Sequence, residues 1–339
     1  MSWIFKPAAG LFEEVRKDWY ALNASRGNHL LLDSRFVAPL LRHFGGPHVL
    51  LGINPDSRNP GMALLIKKAA GRWETFQPAQ APLGLILVGY RDQTGEGLLE
   101  MLGKLPGYPL ELSVLQQDPD YSSFPAVPSQ PHLETLDYIR TARLRLAGTF
   151  EDYWNSRGIN LRHNLARQQR RLSEQGYTIE LGVHRAPQEV AACIREYGRL
   201  ESRGWKGKKG TAVAEDNGQG RFYRDVFEAF CAAGEGVIYQ LLVNGKVAAN
   251  DLCLVRDGML IVLKTAYNEN LANFSPALMM RRMIMERLHA EKQVRVVEFY
   301  GPLMDWHTRW CDEVRTMFHL NCFRHRLIAR IRRFARRLS

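Results

Sequence analysis

The 339-residue sequence is poor in the features that announce the commonest functional classes. Its five cysteines, Cys193, Cys231, Cys253, Cys311 and Cys322, are odd in number and scattered, with no CxxC pair. That spacing gives neither a disulfide framework nor a zinc site, so we expect reduced, buried thiols in a cytoplasmic protein and no metal. There is no uninterrupted apolar run of about 18 residues; the longest, such as LGLILVGY at 83–90, are of strand length. The start, MSWIFKPAAG, lacks the charge and the long apolar segment of a signal peptide. No nucleophile elbow, Cys/His pairing or metal-ligand spacing supports a covalent or metal mechanism. No recognised nucleic-acid motif accompanies the basic residues, and DNA is not an expected partner.

What is present is an ordinary globular composition, 45% apolar and 24% charged, with a formal charge of +11. Seven arginines lie between Arg324 and Arg337, leaving +4 for the rest of the chain. In RHRLIARIRRFARRLS, Leu327, Ile331, Phe334 and Leu338 recur at helical spacing, so 324–339 reads as a basic amphipathic helix. Two readings stay open: an anionic membrane surface held by the arginines, at the inner membrane face, or a docked terminal helix with solvated arginines.

The length favours two domains. Residues 1–147 read as an N-terminal α/β domain, with helical spacing at 11–23 and 34–44 and apolar runs at 48–53, 61–67, 84–90 and 110–115. Ser122–Pro131, rich in Pro and Ser, reads as a linker or long loop. Tyr138–Leu146 reads as a strand, and Thr149 caps a helix. In 148–323 the order is a basic helix at 161–175, a strand at 177–184, a helix from Pro187, a Gly/Lys-rich loop and a helix at 221–233.

Three strands then follow, GVIYQLLV, KVAANDLCLV and MLIVLKTAY, joined at Asn244-Gly245 and Asp257-Gly258, dipeptides suited to the primed turns of two-residue hairpins. Ser275-Pro276 opens the next helix, with Ser275 as its expected N-cap. The amides of Ala277 and Leu278, with Arg281 one turn on, can face an anion such as pyrophosphate. A strand at 294–300 and the stretch GPLMDWHTRWCDE come next.

Three strings, TFEDYWNSRGINLRHNLARQQRRLSEQG, TAYNENLANFSPALMMRRMIMERL and VEFYGPLMDWHTRW, carry a resemblance. Over about 148–323 the chain resembles GNAT acetyltransferases of the cellulose-biosynthesis-protein type, relatives of the Fem-type transferases. It departs from them at Ala277, where the family usually has Gly, and the ordinary GNAT fingerprint Q/R-x-x-G-x-G/A is absent. The resemblance implies an α/β (α+β) fold, two GNAT-like acyl-CoA N-acyltransferase units in tandem, each a mixed, mostly antiparallel sheet flanked by helices. It implies acetyl-CoA or another acyl-CoA along Val262, Leu263 and Lys264 and at Asn273, Phe274, Ser275, Ala277, Leu278 and Arg281. Direct transfer to a small-molecule or saccharide amine, in envelope polysaccharide synthesis, would need a base and a proton donor. Glu298, Tyr300, Asp305 and His307 are the catalytic candidates. Arg203, Trp205, Asp251, Trp306 and Trp310 are candidates for holding the acceptor, with Asp251 also a possible base. The alternatives are a Fem-type aminoacyl-tRNA-dependent transferase or a non-catalytic member of a polysaccharide-synthesis complex.

Overall fold

The computed structural model describes residues 3–56, 58–89, 94–124, 130–203 and 213–337; the side chains of Arg203 and Arg337 lie outside this description. The chain divides into two units, Met1–Arg140 with Thr316–Ser339, and Thr141–Arg315. The final segment thus returns to the first unit.

In the first unit, helices α1 (Leu11–Glu14), α2 (Arg16–Ser25) and α3 (Ser34–Phe44) accompany strands β1 (Ile4–Pro7), β2 (Val49–Asn54), β3 (Gly61–Ala69), β4 (Arg72–Thr75) and β5 (Ile86–Val88). Helix α4 (Glu96–Lys104) and β6 (Glu111–Gln117) follow. Strand β7 (Leu133–Arg145) begins here, and β13 (Glu313–Phe323) ends here, before the terminal helix. Neighbours β1–β2, β2–β3, β3–β4, β3–β5 and β6–β13 are antiparallel, and β4–β6 is parallel. Trp73, Leu98, Met101, Leu112, Val114 and Phe318 are among the side chains that fill its core. Composition alone did not indicate β1, β4 or α4, because each is short and lacks a long periodic run.

The second unit contains α5 (Phe150–Ser156), α6 (Ile159–Glu174), β8 (Ile179–His184), α7 (Pro187–Arg203), α8 (Gly218–Ala232), β9 (Gly236–Val243), β10 (Lys246–Arg256), β11 (Met259–Tyr267), α9 (Pro276–Glu291) and β12 (Val296–Phe299). Its sheet runs β8-β9-β10-β11-β12 and ends on residues 143–145 of β7, antiparallel except for β11–β12. Both hairpins have the expected turns: Asn244, Gly245, Asp257 and Gly258 all have positive φ, between 48° and 82°. Thr149 forms a capping box with Asp152, and Gly176 takes the left-handed conformation that stops α6.

One face of this sheet packs on α9, where Val262, Cys253 and Tyr239 meet Met279, Met280, Ile284 and Leu288 in one buried cluster. The opposite face meets α7, as the bond from Asn250 Nδ2 to the Cys193 carbonyl shows (3.2 Å). Helix α10 (Arg326–Arg337) belongs to the first unit. All five cysteines are buried and free, as expected. Among the described residues no helix is long and apolar enough to cross a membrane, and no cluster could hold a metal ion.

Candidate cofactor and acyl-transfer site

The site is built where β11 and β12 part. They pair in parallel only from Met259↔Val296 to Val262↔Phe299, yet β11 continues to Tyr267. The last five residues of β11 therefore have no β12 partner on that side. On its other side β11 carries a bulge: Lys264 pairs with Leu252 and Val262 with Cys253, so Leu263 is the extra residue. The bulge and the end of β12 pairing fall at the same place, and the two strands diverge there. Backbone groups on a parted strand can pair with an extended ligand.

The start of α9 lies at the same end of the sheet. A 3₁₀ turn over Glu269–Phe274 leads into Ser275, which has φ 50°, ψ 54°. That left-handed conformation corrects the capping expectation: the Ser275 hydroxyl makes no capping bond. Its carbonyl still accepts from the Met279 amide (3.0 Å). The amides of Ala277 and Leu278 come too early in the helix for an intrahelical i−4 acceptor, and no side chain caps them. The first turn contains no acid, so its partial positive charge is undiminished.

Two clefts flank this helix start. One, of about 400 Å³, is lined by Thr265, Tyr267, Ser275, Ala277, Arg281 and Trp306. The other, of about 570 Å³, is polar, with Arg157, Asn160, Asn164, Gln168, Arg309 and Asp312 along its walls. Ser275 and Leu278 line both.

The floor of the first cleft holds a buried polar trio. Arg281 Nη1 lies 2.8 Å from Asp251 Oδ2, Thr265 Oγ1 donates to Asp251 Oδ1 (2.6 Å), and Arg281 Nη2 donates to Thr265 Oγ1 (3.3 Å). Burial pushes the Asp251 carboxyl pKa up, against the opposing pull of Arg281 and the Thr265 hydrogen bond. The Arg281 guanidinium also lies over the rings of Phe299 (5.1 Å) and Trp306 (5.8 Å). His307 stacks on Trp306 at 3.6 Å and accepts from the Met304 amide at Nδ1 (2.9 Å). Burial first, and then the nearby Arg281, push its pKa down to about 4, so it is neutral at pH 7 with its Nδ1 lone pair engaged.

The other residues singled out by sequence are dispersed. Glu298 is fully buried, and both its oxygens are taken by guanidinium groups, Arg143 Nε at 2.5 Å and Arg315 Nη2 at 2.7 Å. Arg143 is its cross-strand neighbour on β7. Arg295, three residues before Glu298, instead donates to the Asp257 carbonyl (2.8 Å). Tyr300 sits beneath Arg315, 5.1 Å from its ring centre. Asp305 is exposed. Trp310 is a core residue whose carbonyl accepts from Tyr153 Oη (3.1 Å) and Arg157 Nη1 (3.0 Å). Lys264 lies over the ring of Tyr223 on α8 (5.7 Å), on the face opposite Arg281. Asn273 is exposed, and Phe274 sits under Arg171 (5.6 Å). Trp205 and the Arg203 side chain fall outside the described residues. Thr265 and the polar row Asn160, Asn164, Gln168 were missed by sequence reasoning; the i, i+4, i+8 spacing of that row on α6 is the signal that could have found it.

Residues 160–308 match the family model described as an acetyltransferase (GNAT) domain. Among solved structures, the chain is similar to the C-terminal domain of a putative lysylphosphatidylglycerol synthetase from Agrobacterium fabrum, with TM-score 0.56, 11% identity, and 90% of this chain and 92% of that one covered. It is also similar to a conserved protein of unknown function from Bacteroides thetaiotaomicron, with TM-score 0.54, 11% identity and coverages of 91% and 97%. FemX is a third, with TM-score 0.51, 10% identity and coverages of 91% and 96%. No curated protein sequence matches the chain. At these identities the structural likeness speaks to the fold, which is a GNAT fold of mixed, mostly antiparallel sheet flanked by helices.

Proposed function

We propose that this protein is an acyl-CoA-dependent N-acyltransferase that moves an acyl group, acetyl in the simplest case, directly to an amine or amino-sugar acceptor. An acceptor in envelope polysaccharide synthesis is the substrate class we assign. The observation that carries this reading is the parting of β11 from β12 beside the uncapped, acid-free start of α9. The residues present fit the group: the amides of Ala277 and Leu278 are placed to meet an anion, and Leu263–Tyr267 run on past the end of the β12 pairing, where an extended arm can lie along the strand. The polar cleft of Asn160, Asn164 and Arg157 suits a nucleotide, and the cleft of Thr265 and Trp306 suits the arm and its acyl end. Ala277 in place of Gly is accommodated because its side chain lines the cleft wall.

Acyl-CoA supplies an activated thioester carbonyl. The chain must orient the acceptor and take its proton. Asp251 is the base we assign, acting through Thr265: the hydroxyl receives the proton of the amine as it passes its own to the carboxylate. Arg281 holds that carboxylate in place and keeps a positive charge at the cleft floor. Glu298, with both oxygens occupied by arginines, serves as a brace between β7, β12 and the segment carrying Arg315. His307 steadies the Met304–Trp310 turn and so positions Trp306 on the cleft wall.

The test is a transfer assay with the full chain, scoring release of free CoA thiol from acetyl-CoA against a panel of amines and amino sugars. Amine-dependent release is expected, lowered about 100-fold in Thr265→Val and largely restored in Thr265→Ser. Transfer from aminoacyl-tRNA with none from acetyl-CoA would replace this reading with the Fem-type one. Tight binding of CoA without turnover on any acceptor would favour a non-catalytic role.

A further inference from the structure

The terminal helix α10 is oriented against expectation for a solvated basic tail. Its arginines, rather than its apolar residues, attach it to the first unit. Arg332 Nη2 lies 2.9 Å from Glu111 Oε2 and Arg336 Nη1 lies 2.6 Å from Glu134 Oε2. Arg333 Nη2 donates to the carbonyls of Gln130 and Leu133, and just before the helix Arg324 donates to those of Leu102 and Pro109. Ala329 is the buried small residue beneath the helix.

The apolar stripe points the other way. Leu327, Ile331 and Phe334, at i, i+4 and i+7, are 66%, 58% and 65% exposed. Tyr108, 64% exposed, stands by the start of the helix with its hydroxyl on His325 (3.2 Å). Arg326 and Arg330 are exposed on the same helix, and residues 324–337 contain no acid.

We propose that this stripe is a docking surface for a bilayer carrying anionic phospholipid. Leu327, Ile331 and Phe334 enter the boundary between headgroups and acyl chains, while Arg326 and Arg330 meet lipid phosphates. Charge and area decide for lipid over a protein partner. Every charge on the helix is positive, which suits a surface of uniformly negative charge. Three side chains on one convex helix fall well short of the roughly 800 Å² per partner of a stable protein interface. An amphipathic helix with an apolar stripe of this width gives reversible, salt-sensitive attachment. This surface lies in the first unit and stands independently of the acyl-transfer reading.

The experiment is co-sedimentation of the full chain with vesicles of phosphatidylglycerol and phosphatidylcholine, and with phosphatidylcholine alone. Binding is expected to the mixed vesicles only, and to fall steeply as salt rises. The triple variant Leu327→Ser, Ile331→Ser, Phe334→Ser should bind at least about tenfold more weakly, since three apolar insertions are lost. Arg330→Glu should weaken binding about fivefold or more. Both should keep the thermal midpoint of the parent, because all four side chains are exposed. A parent that does not pellet, or a triple variant that pellets equally well, overturns the proposal. So does a parent that dimerises without pelleting while the triple variant is monomeric, which would make the stripe a contact between copies.

Discussion

In each unit a parallel strand pair interrupts an otherwise antiparallel sheet, and a helix lies in the connection: α4 between β4 and β6, α9 between β11 and β12. The first pair is sealed. Beyond the Glu74↔Ser113 pairing, Thr75 Oγ1 accepts from the Leu115 amide (3.0 Å) and the Gly84 amide donates to Gln116 O (3.3 Å). What remains near Gln116 and Gln117 is a hollow of about 20 Å³. Helix α4 starts after Gly95, at φ 76°, with the Leu133 side chain packed so closely that an added Cβ would fall 2.2 Å from it. Its first turn also carries Glu96. The second pair is split, its helix start has no side-chain cap, and Arg281 lines the cleft beside it. The same local topology is closed in the first unit and opens onto a cleft of about 400 Å³ in the second.

The strongest way to break this contrast is to give α9 the acid that α4 has. Ala277→Glu should lower acetyl-CoA affinity at least about 100-fold in titration calorimetry, since a carboxylate then faces the phosphates across a few ångströms. Glu96→Gln should leave it unchanged. If both variants bind like the parent, the contrast has no bearing on the cofactor.

A smaller but still large effect concerns stability. Arg281→Met strands Asp251, which is fully buried, and should cost about 3–5 kcal/mol in urea unfolding. Adding Asp251→Asn should recover most of that loss. In the first unit, Arg72→Met removes a 3.5 Å pair whose arginine is 42% exposed, and should cost under about 1 kcal/mol. Equal losses in the two units would show that Asp251 and Arg281 do not act as a buried pair.

The third effect is a pH dependence. His307 is folded with a pKa of about 4 against an ordinary value of 6.5, so the unfolded chain binds its proton more readily. The stability it contributes is fully present above pH 6.5 and is lost as pH falls toward 4, by at most about 3 kcal/mol. His307→Asn keeps an acceptor for the Met304 amide and removes the titration. Its unfolding midpoint should therefore vary less across that window. A parallel pH profile for the parent and the variant would refute the assignment.

Local features of the fold were legible in the sequence: the two Asn-Gly and Asp-Gly hairpins, the helix cap at Thr149, and a helix beginning at Pro276. Each depends on residues a few positions apart. The face of Lys264 was not legible, because strict alternation places it beside Val262. The bulge at Leu263 turns it to the α8 side and brings Thr265 to the cleft instead. The pairing of Glu298 with Arg143 was equally hidden, since the partners lie 155 residues apart and meet only through strand register. The tail shows a different limit. Its amphipathic spacing is plain, but which face is attached is decided by Glu111 and Glu134, far away in sequence.

Hydrogen–deuterium exchange of the full chain, with and without acetyl-CoA, examines the open copy most directly. Protection should rise at the amides of 263–267 and at Ala277 and Leu278, and should not change at 72–76 or 94–98. Unchanged exchange at 263–278, or new protection around β4 and the start of α4, would contradict the assignment of the thioester site to the second unit.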